Sequence, residues 1–220
     1  MNKKYFVIFL LFIAPILAYV FFASGVNNFM RLPVLSENVK ELEGFYDLEG
    51  KPVYLEDKIT VLMFLGENPI EHQVSVYNLV HKTYKKNHNF YDFQLVTVLP
   101  NEAKTKLDPL IQEISGAVED LSDWRFAFGS TDAIEAVYNS LRVPYSLQND
   151  WYSEYVYVID KELALRGRDD DKDEVEGMLF GYNAEKYSEI NNKLGDDIKV
   201  LLAEYRLALK KNNRNDYLVQ

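Results

Sequence analysis

The chain has 220 residues, 48% of them hydrophobic and 26% charged, with no cysteine and a net charge of −10. That composition suits a folded globular body. It excludes disulfides, thiol catalysis, thiolate metal sites and a lipidated cysteine, and so acidic a chain lacks the basic face that nucleic acid requires.

Tyr5 to Ala23 (YFVIFLLFIAPILAYVFFA) carries no charge over 19 residues. At about 1.5 Å per residue such a run just spans a hydrocarbon core of roughly 30 Å. Lys3 and Lys4 precede it, which places the N-terminus in the cytoplasm and the body outside it. In a bacterial-type cell that is an inner-membrane anchor with a periplasmic domain. Pro15 is tolerated in a membrane helix. Ala23-Ser24-Gly25 offers small residues for signal cleavage, but the run exceeds a usual h-region of about 7–15 residues. Residues 1–25 therefore read as an uncleaved transmembrane anchor, 26–40 as a linker and 41–220 as one domain. Without Lys3 and Lys4 the remainder bears −12, which argues against lying flat on anionic lipid.

Gly44 to Leu55 reads as a hairpin, with its turn at Leu48-Glu49-Gly50-Lys51. Ile59 to Leu65 is a continuous apolar run but for Thr60, as a central strand covered on both faces would be. Gly66 ends that run, and Asn68-Pro69 opens a helix to about Lys86. Asn68 suits the N-cap, Pro69 suits N1, and Glu71 fits a variant of the capping box. Val74, Tyr77, Val80 and Tyr84 are spaced to share the inner face. Phe90 to Leu99 is the next strand, Lys104 to Leu121 a second helix and Trp124 to Phe128 a third strand. Ser130 or Thr131 caps a third helix to Leu141, with Ala133, Ala136, Val137 and Leu141 inward. Residues 142–152 are an irregular loop. Glu154 to Asp160 and Leu163 to Arg168 form a closing hairpin, turning at Asp160-Lys161. An acidic stretch follows. The last helix runs from Asn191 to Lys211, with Leu194, Ile198, Leu201, Leu202, Tyr205 and Leu209 on one face. The alternation in the first half demands parallel pairing with right-handed crossovers. The fold class is α/β, a thioredoxin-like fold with an N-terminal hairpin, preceded by one transmembrane helix.

A strand-to-helix corner often carries chemistry, because a helix N-terminus favours anions and thiolates. Here residues 66–72 hold no evident nucleophile. His72, with Glu67 or Glu71 near it, is the one candidate metal ligand at the corner, against the plainer reading of a partly exposed helix residue. His81 and His88 lie two turns apart, some 10 Å of rise, which is too far to share one ion. Asp169 to Glu174 resembles a calcium loop, but its sixth position is Glu174 where the pattern needs glycine, so a solvated acidic loop is expected. Tyr145, Trp151, Tyr152, Tyr155 and Tyr157 form an aromatic cluster, part core and part candidate partner surface. Gly129-Ser130-Thr131 is a helix cap lacking P-loop glycine spacing. Lys210, Lys211 and Arg214 complement the dipole of the last helix.

Several segments in order resemble the Sco family of membrane-anchored thioredoxin-like proteins, whose members deliver copper to cytochrome oxidase. They are the N-terminal apolar run, FYDLEGKPVYLED, ITVLMFLG, WRFAFGSTDAIEAVYNSLRVPY and YVIDKELALRGR, which together cover roughly residues 40–170 beyond the anchor. The family's site is a Cys-Pro-x-x-Cys-like corner with a distant histidine. On this chain the resemblance puts Asn68 at the first cysteine, His72 at the second and Tyr152 at or near the histidine. The proline is kept and all three ligands are changed. Copper(I) prefers thiolate or thioether ligands, and dithiol exchange needs cysteine.

The resemblance implies ancestry and location, while the changed ligands remove the family's chemistry. The chain then reads as a non-catalytic membrane protein without cofactor that acts on a protein partner in the same membrane. The resemblance alone adds assembly of a respiratory (cytochrome oxidase) complex or an accessory role in it. A metallochaperone with an altered copper or zinc site at His72 is the alternative. A cysteine-free peroxidase or reductase relative is a third reading, and it lacks a nucleophile.

Overall fold

A computed structural model describes residues 9, 11–17, 19–20, 31–118 and 120–216. Residues 1–30 and 31–220 form separate units. In the first, residues 9, 11–17 and 19–20 are helical, and the apolar side chains of Leu11, Phe12, Ile16 and Leu17 are exposed. The expected anchor lies partly outside the described residues. Among the described residues no helix is long and apolar enough to cross a membrane.

The second unit is built on β2 (Ile59–Phe64), every residue of which is buried. Its side chains alternate between two cores, as the period of two requires. Ile59, Val61 and Met63 enter one, and Leu62 and Phe64 the other. β2 pairs in parallel with β3 (Phe93–Pro100), and β3 in parallel with β4 (Trp124–Gly129). On its other edge β2 pairs antiparallel with β5 (Tyr155–Ile159). β5 turns back into β6 (Leu165–Arg166), and β1 (Val34–Ser36) closes that edge, giving the order β1-β6-β5-β2-β3-β4. A short β7 (Tyr182–Asn183) also pairs with β5.

Helix α1 (residues 69–87) crosses from β2 to β3, and α2 (Asp108–Ala117) from β3 to β4. Both pack on the first core, together with α4 (residues 187–216), through Val76, Leu79, Leu110, Ile114, Leu194 and Ile198. The second core lies under α3 (Thr131–Ser140) and the irregular segment 39–55, through Ile134, Val137, Phe45 and Val53. This is the expected thioredoxin-like α/β arrangement, a mixed sheet between helical layers.

Four features depart from the sequence expectation. Val34–Ser36, expected in the linker, is an edge strand, since its partner β6 would otherwise present unpaired backbone. The 44–55 hairpin is reduced to a single Tyr46–Pro52 bridge, because Tyr46 also pairs with Phe128. Asp47 Oδ1 still closes the expected turn, accepting from the N–H groups of Glu49 and Lys51 at 2.9 Å each. Lys104 to Leu121 divides into a 3₁₀ segment, Asn101–Lys106, and α2.

The fourth departure is in α1, which begins as a 3₁₀ turn (Pro69–His72) and contains a π turn (Val80–Tyr84). The wider π turn lets Leu79 and Tyr84, five residues apart, both face inward. The inner face is therefore Val76, Leu79, Val80 and Tyr84, and Val74 is 56% exposed. Asn68 makes no side-chain cap. In α3 Ser130 is the cap, and Ile134 and Tyr138 join Val137 and Leu141 inside. The inner face of α4 is as expected through Leu201, with Ile190 added by a second π turn (Ile190–Leu194).

Candidate functional site

The corner after β2 is tied to the end of the 142–152 loop. Leu65 bridges Tyr152, the Glu67 N–H donates to the Asp150 carbonyl at 3.1 Å, and Ser153 N–H donates to the Phe64 carbonyl at 3.1 Å. Gly66 makes this approach possible. Its φ is +75°, and a Cβ there would lie 2.9 Å from Asp150 Oδ2 and 3.2 Å from Tyr152 Cβ. The loop turns back through Trp151, at φ +62°, whose N–H donates to the Gln148 carbonyl.

This docking brings His72 and Tyr152 together. Their rings stack with centroids 3.4 Å apart and planes within 6°. Tyr152 is 1% exposed. Its hydroxyl donates to Glu185 Oε1 at 2.9 Å. With that single proton spent, the 3.1 Å bond to Ser75 Oγ has Ser75 as donor. Burial pushes the Tyr152 phenol far above its usual range. The Ser75 bond works against that shift and Glu185 adds to it, so the group stays a neutral phenol.

The carboxylate within reach of His72 is Asp150, at 3.4 Å between Nε2 and Oδ2, rather than Glu67 or Glu71. That is a long contact for a hydrogen bond. Asn68 sits at the corner, but its Oδ1 accepts from Lys106 Nζ at 2.8 Å. The structure thus brings His72 and Tyr152 into contact, with Asn68 on the same turn and engaged elsewhere.

The remaining candidates separate. His81 stacks on Tyr77 and lies 3.4 Å from Lys85 Nζ, while His88 stacks on Tyr84. Among the described residues no group of three or more histidine or acidic side chains is placed to hold a metal ion. The 169–174 stretch is not wholly solvated. Asp171 is 7% exposed and pairs with Lys193 at 2.7 Å, beside Arg168. Burial alone would raise the Asp171 carboxyl; the Lys193 ammonium and the Asp173 N–H outweigh it and lower it. In the aromatic cluster Tyr152 and Tyr157 are core, whereas Tyr145 and Tyr155 stack at 3.9 Å and Trp151 Nε1 donates to Glu135 at 3.3 Å.

Sequence reasoning missed Ser75, Lys106, Asp150 and Glu185. Ser75 follows His72 by one helical turn and Asp150 precedes Tyr152 by two residues, so both were within local reach. Glu185, 33 residues from Tyr152, offered no signal.

Fold and corner together define a thioredoxin-like domain whose strand-to-helix corner is closed by an imidazole–phenol stack. No protein-family model matches the chain, and no curated protein does. Among solved structures, a SCO1/SenC family lipoprotein from Bacillus anthracis str. Ames shares the fold, with a TM-score of 0.52 and 18% identity over 81% of this chain and 99% of that one. BsSco, a member of the Sco family of cytochrome c oxidase assembly proteins, is 15% identical over 77% and 94% of the two chains, with a TM-score of 0.49. Copper-bound ScoI of Arabidopsis thaliana is 17% identical over 71% and 97%, with a TM-score of 0.43. The fold likeness rests on the first of these, and it shows the fold, a thioredoxin-like domain.

Copper(I) does not fit this corner. The three positions that the resemblance assigns to ligands hold an amide oxygen engaged by Lys106, an imidazole lying flat on a ring, and a phenol committed to Ser75 and Glu185. None is a soft donor.

Proposed function

We propose that this protein is a Sco-family relative that has given up copper and thiol chemistry and acts by binding a protein partner. Its N-terminal apolar run holds it to a membrane with the domain on the periplasmic side, and the partner belongs to a respiratory complex or its assembly machinery. The observation that carries the reading is the state of the corner: at the positions where the resemblance would put the ligands, Asn68 Oδ1 and the Tyr152 hydroxyl are already bonded within the domain, and the His72 ring lies flat on Tyr152. The absence of cysteine supports it, as do the Sco-like fold and the exposed apolar side chains of Leu11, Phe12, Ile16 and Leu17. The uncharged run from Tyr5 to Ala23 supports the membrane attachment, and the resemblance to the Sco family supports the respiratory partner.

Affinity purification of the tagged chain from its own mildly solubilised membranes, followed by mass spectrometry, tests this. Oxidase subunits or their assembly factors are the expected recovery. Consistent recovery of an unrelated membrane complex would remove the respiratory clause and leave a binding module.

One observation favours a second reading. His72 and Asp150 form an imidazole–carboxylate pair at the corner, which is two of the donors that a zinc or copper site uses. Titration of the chain with Cu(I) and Zn(II), compared with His72→Ala, separates the readings. The partner-binding reading expects the two proteins to bind metal alike and weakly. A stoichiometric site lost in His72→Ala would establish an altered metallochaperone instead.

A further inference from the structure

We propose that the open cavity between α3 and the 142–152 loop receives an arginine or lysine side chain from an extended segment of the protein partner. This rests on the partner-binding reading and names the surface that performs it. The cavity has a volume of about 380 Å³ and is lined by Glu135, Tyr138, Asn139, Tyr145, Gln148 and Trp151.

Its walls combine aromatic rings with the carboxylate of Glu135, and further acids outside the walls act on the same tyrosines. Trp151 is held against the cavity by its indole N–H on Glu135 and by the tight turn from Gln148. Tyr145 is fixed by its face-to-face stack on Tyr155. Both rings are therefore presented at little entropic cost. Glu135 lies in the cavity wall. Burial holds the Tyr145 and Tyr155 phenols above their usual range, and the negative charges of Glu174 and Glu189, with Glu154 at Tyr155, add to it.

Among the described residues none of Glu135, Glu154, Glu174 and Glu189 forms a salt bridge, unlike Asp160, Asp171 and Asp197 elsewhere in the domain. Glu154 and Glu189 accept only from Asn183, a neutral donor. Arg142, at the start of the loop, pairs with none of them. Rigid aromatic faces beside unpaired carboxylates recognise a cation twice, through the ring quadrupole and through charge. Arginine suits this best, since its planar head stacks on a ring while donating to an acid. The exposed amides of Asn139 and Gln148 are placed to meet the backbone of the segment that carries it.

The full chain in mild detergent is titrated at physiological salt with a fluorescein-labelled peptide of alternating Arg and Gly, read by anisotropy. The same peptide with Glu for Arg is the control. Trp151→Ala is expected to weaken binding about tenfold and Glu135→Gln about threefold, the range of one cation–π contact and one exposed charge. Trp151→Phe, which keeps a ring, should bind within about threefold of the unmodified chain, and Glu49→Gln, an exposed acid outside the cavity, should bind equally. Should Trp151→Ala fail to fold, Glu135→Gln against Glu49→Gln still decides. Equal affinity for Trp151→Ala and the unmodified chain, or equal weakening by Glu49→Gln and Glu135→Gln, would overturn the cavity assignment. A partner recovered unchanged by the Trp151→Ala chain would overturn it too, while leaving the partner-binding reading intact; failure to recover any partner with the unmodified chain defeats that reading itself.

Discussion

Tyr152→Ala is expected to destabilise the domain by about 3–5 kcal/mol, the range for deleting a buried aromatic ring. For a domain of this size that lowers the melting temperature by roughly 6–20 °C. The residue is 1% exposed and makes three separate contacts, the first two through its side chain. It stacks on His72, its hydroxyl joins Ser75 on α1 to Glu185 beyond β7, and its backbone bridges Leu65 at the end of β2. Removing it opens a void beneath the corner and leaves Ser75, which is fully buried, without its acceptor. Tyr152→Phe separates ring from hydroxyl. It keeps the stack and loses only the two hydrogen bonds, which costs about 1–2 kcal/mol. Thermal or urea denaturation of the three proteins checks both values. A shift under about 2 °C for Tyr152→Ala would mean that the corner is not held by this ring.

The sequence made the centre of the fold legible and its seams much less so. β2 was plain because a strand buried on both faces must be apolar at successive positions, and Ile59 to Phe64 is apolar at all but Thr60. Thr60 is tolerated because Gln94 donates to its hydroxyl at 2.9 Å. The face of α1 was misread at Val74 for a definite reason. A uniform period of 3.6 assumes one helix type, and this helix changes type three times along its length. β1 was missed because three residues are too short a run to show alternation. At the corner, residue types alone pointed to His72, while Tyr152 came into view through the resemblance and its place ahead of β5. The stack between them is a tertiary fact, set by the 142–152 loop folding back over Gly66. Lys106 and Glu185, which engage Asn68 and Tyr152, come from distant segments.

Arg166→Ala is expected to cost about 3–5 kcal/mol, because it strands a buried charge rather than merely removing a contact. The Arg166 side chain is 6% exposed and that of Asp160 is 3% exposed. Nη1 donates to Asp160 Oδ2 at 2.9 Å, Nη2 to Glu204 Oε2 at 2.8 Å, and Nε to the Leu32 carbonyl at 2.8 Å. One guanidinium thus fastens the start of the domain and α4 to the β5–β6 turn. Asp160 is not free to leave. Its Oδ1 accepts from the N–H groups of Glu162 and Ala164, closing that turn. Without the arginine its carboxylate remains buried and unpaired, so an apolar replacement at position 166 gains little. Arg166→Lys should recover only part of the loss, since an ammonium lacks the planar fork that reaches three acceptors in different directions. The Leu32 carbonyl also loses its donor, which frees the segment leading into β1. The expected signature is therefore double: a lower urea midpoint with unchanged slope, and faster tryptic cleavage after the exposed Arg31 than in the unmodified chain. A stability loss without faster cleavage there would show that β1 is held by its pairing with β6 alone, and that Arg166 serves the turn and α4 but not the entry of the chain.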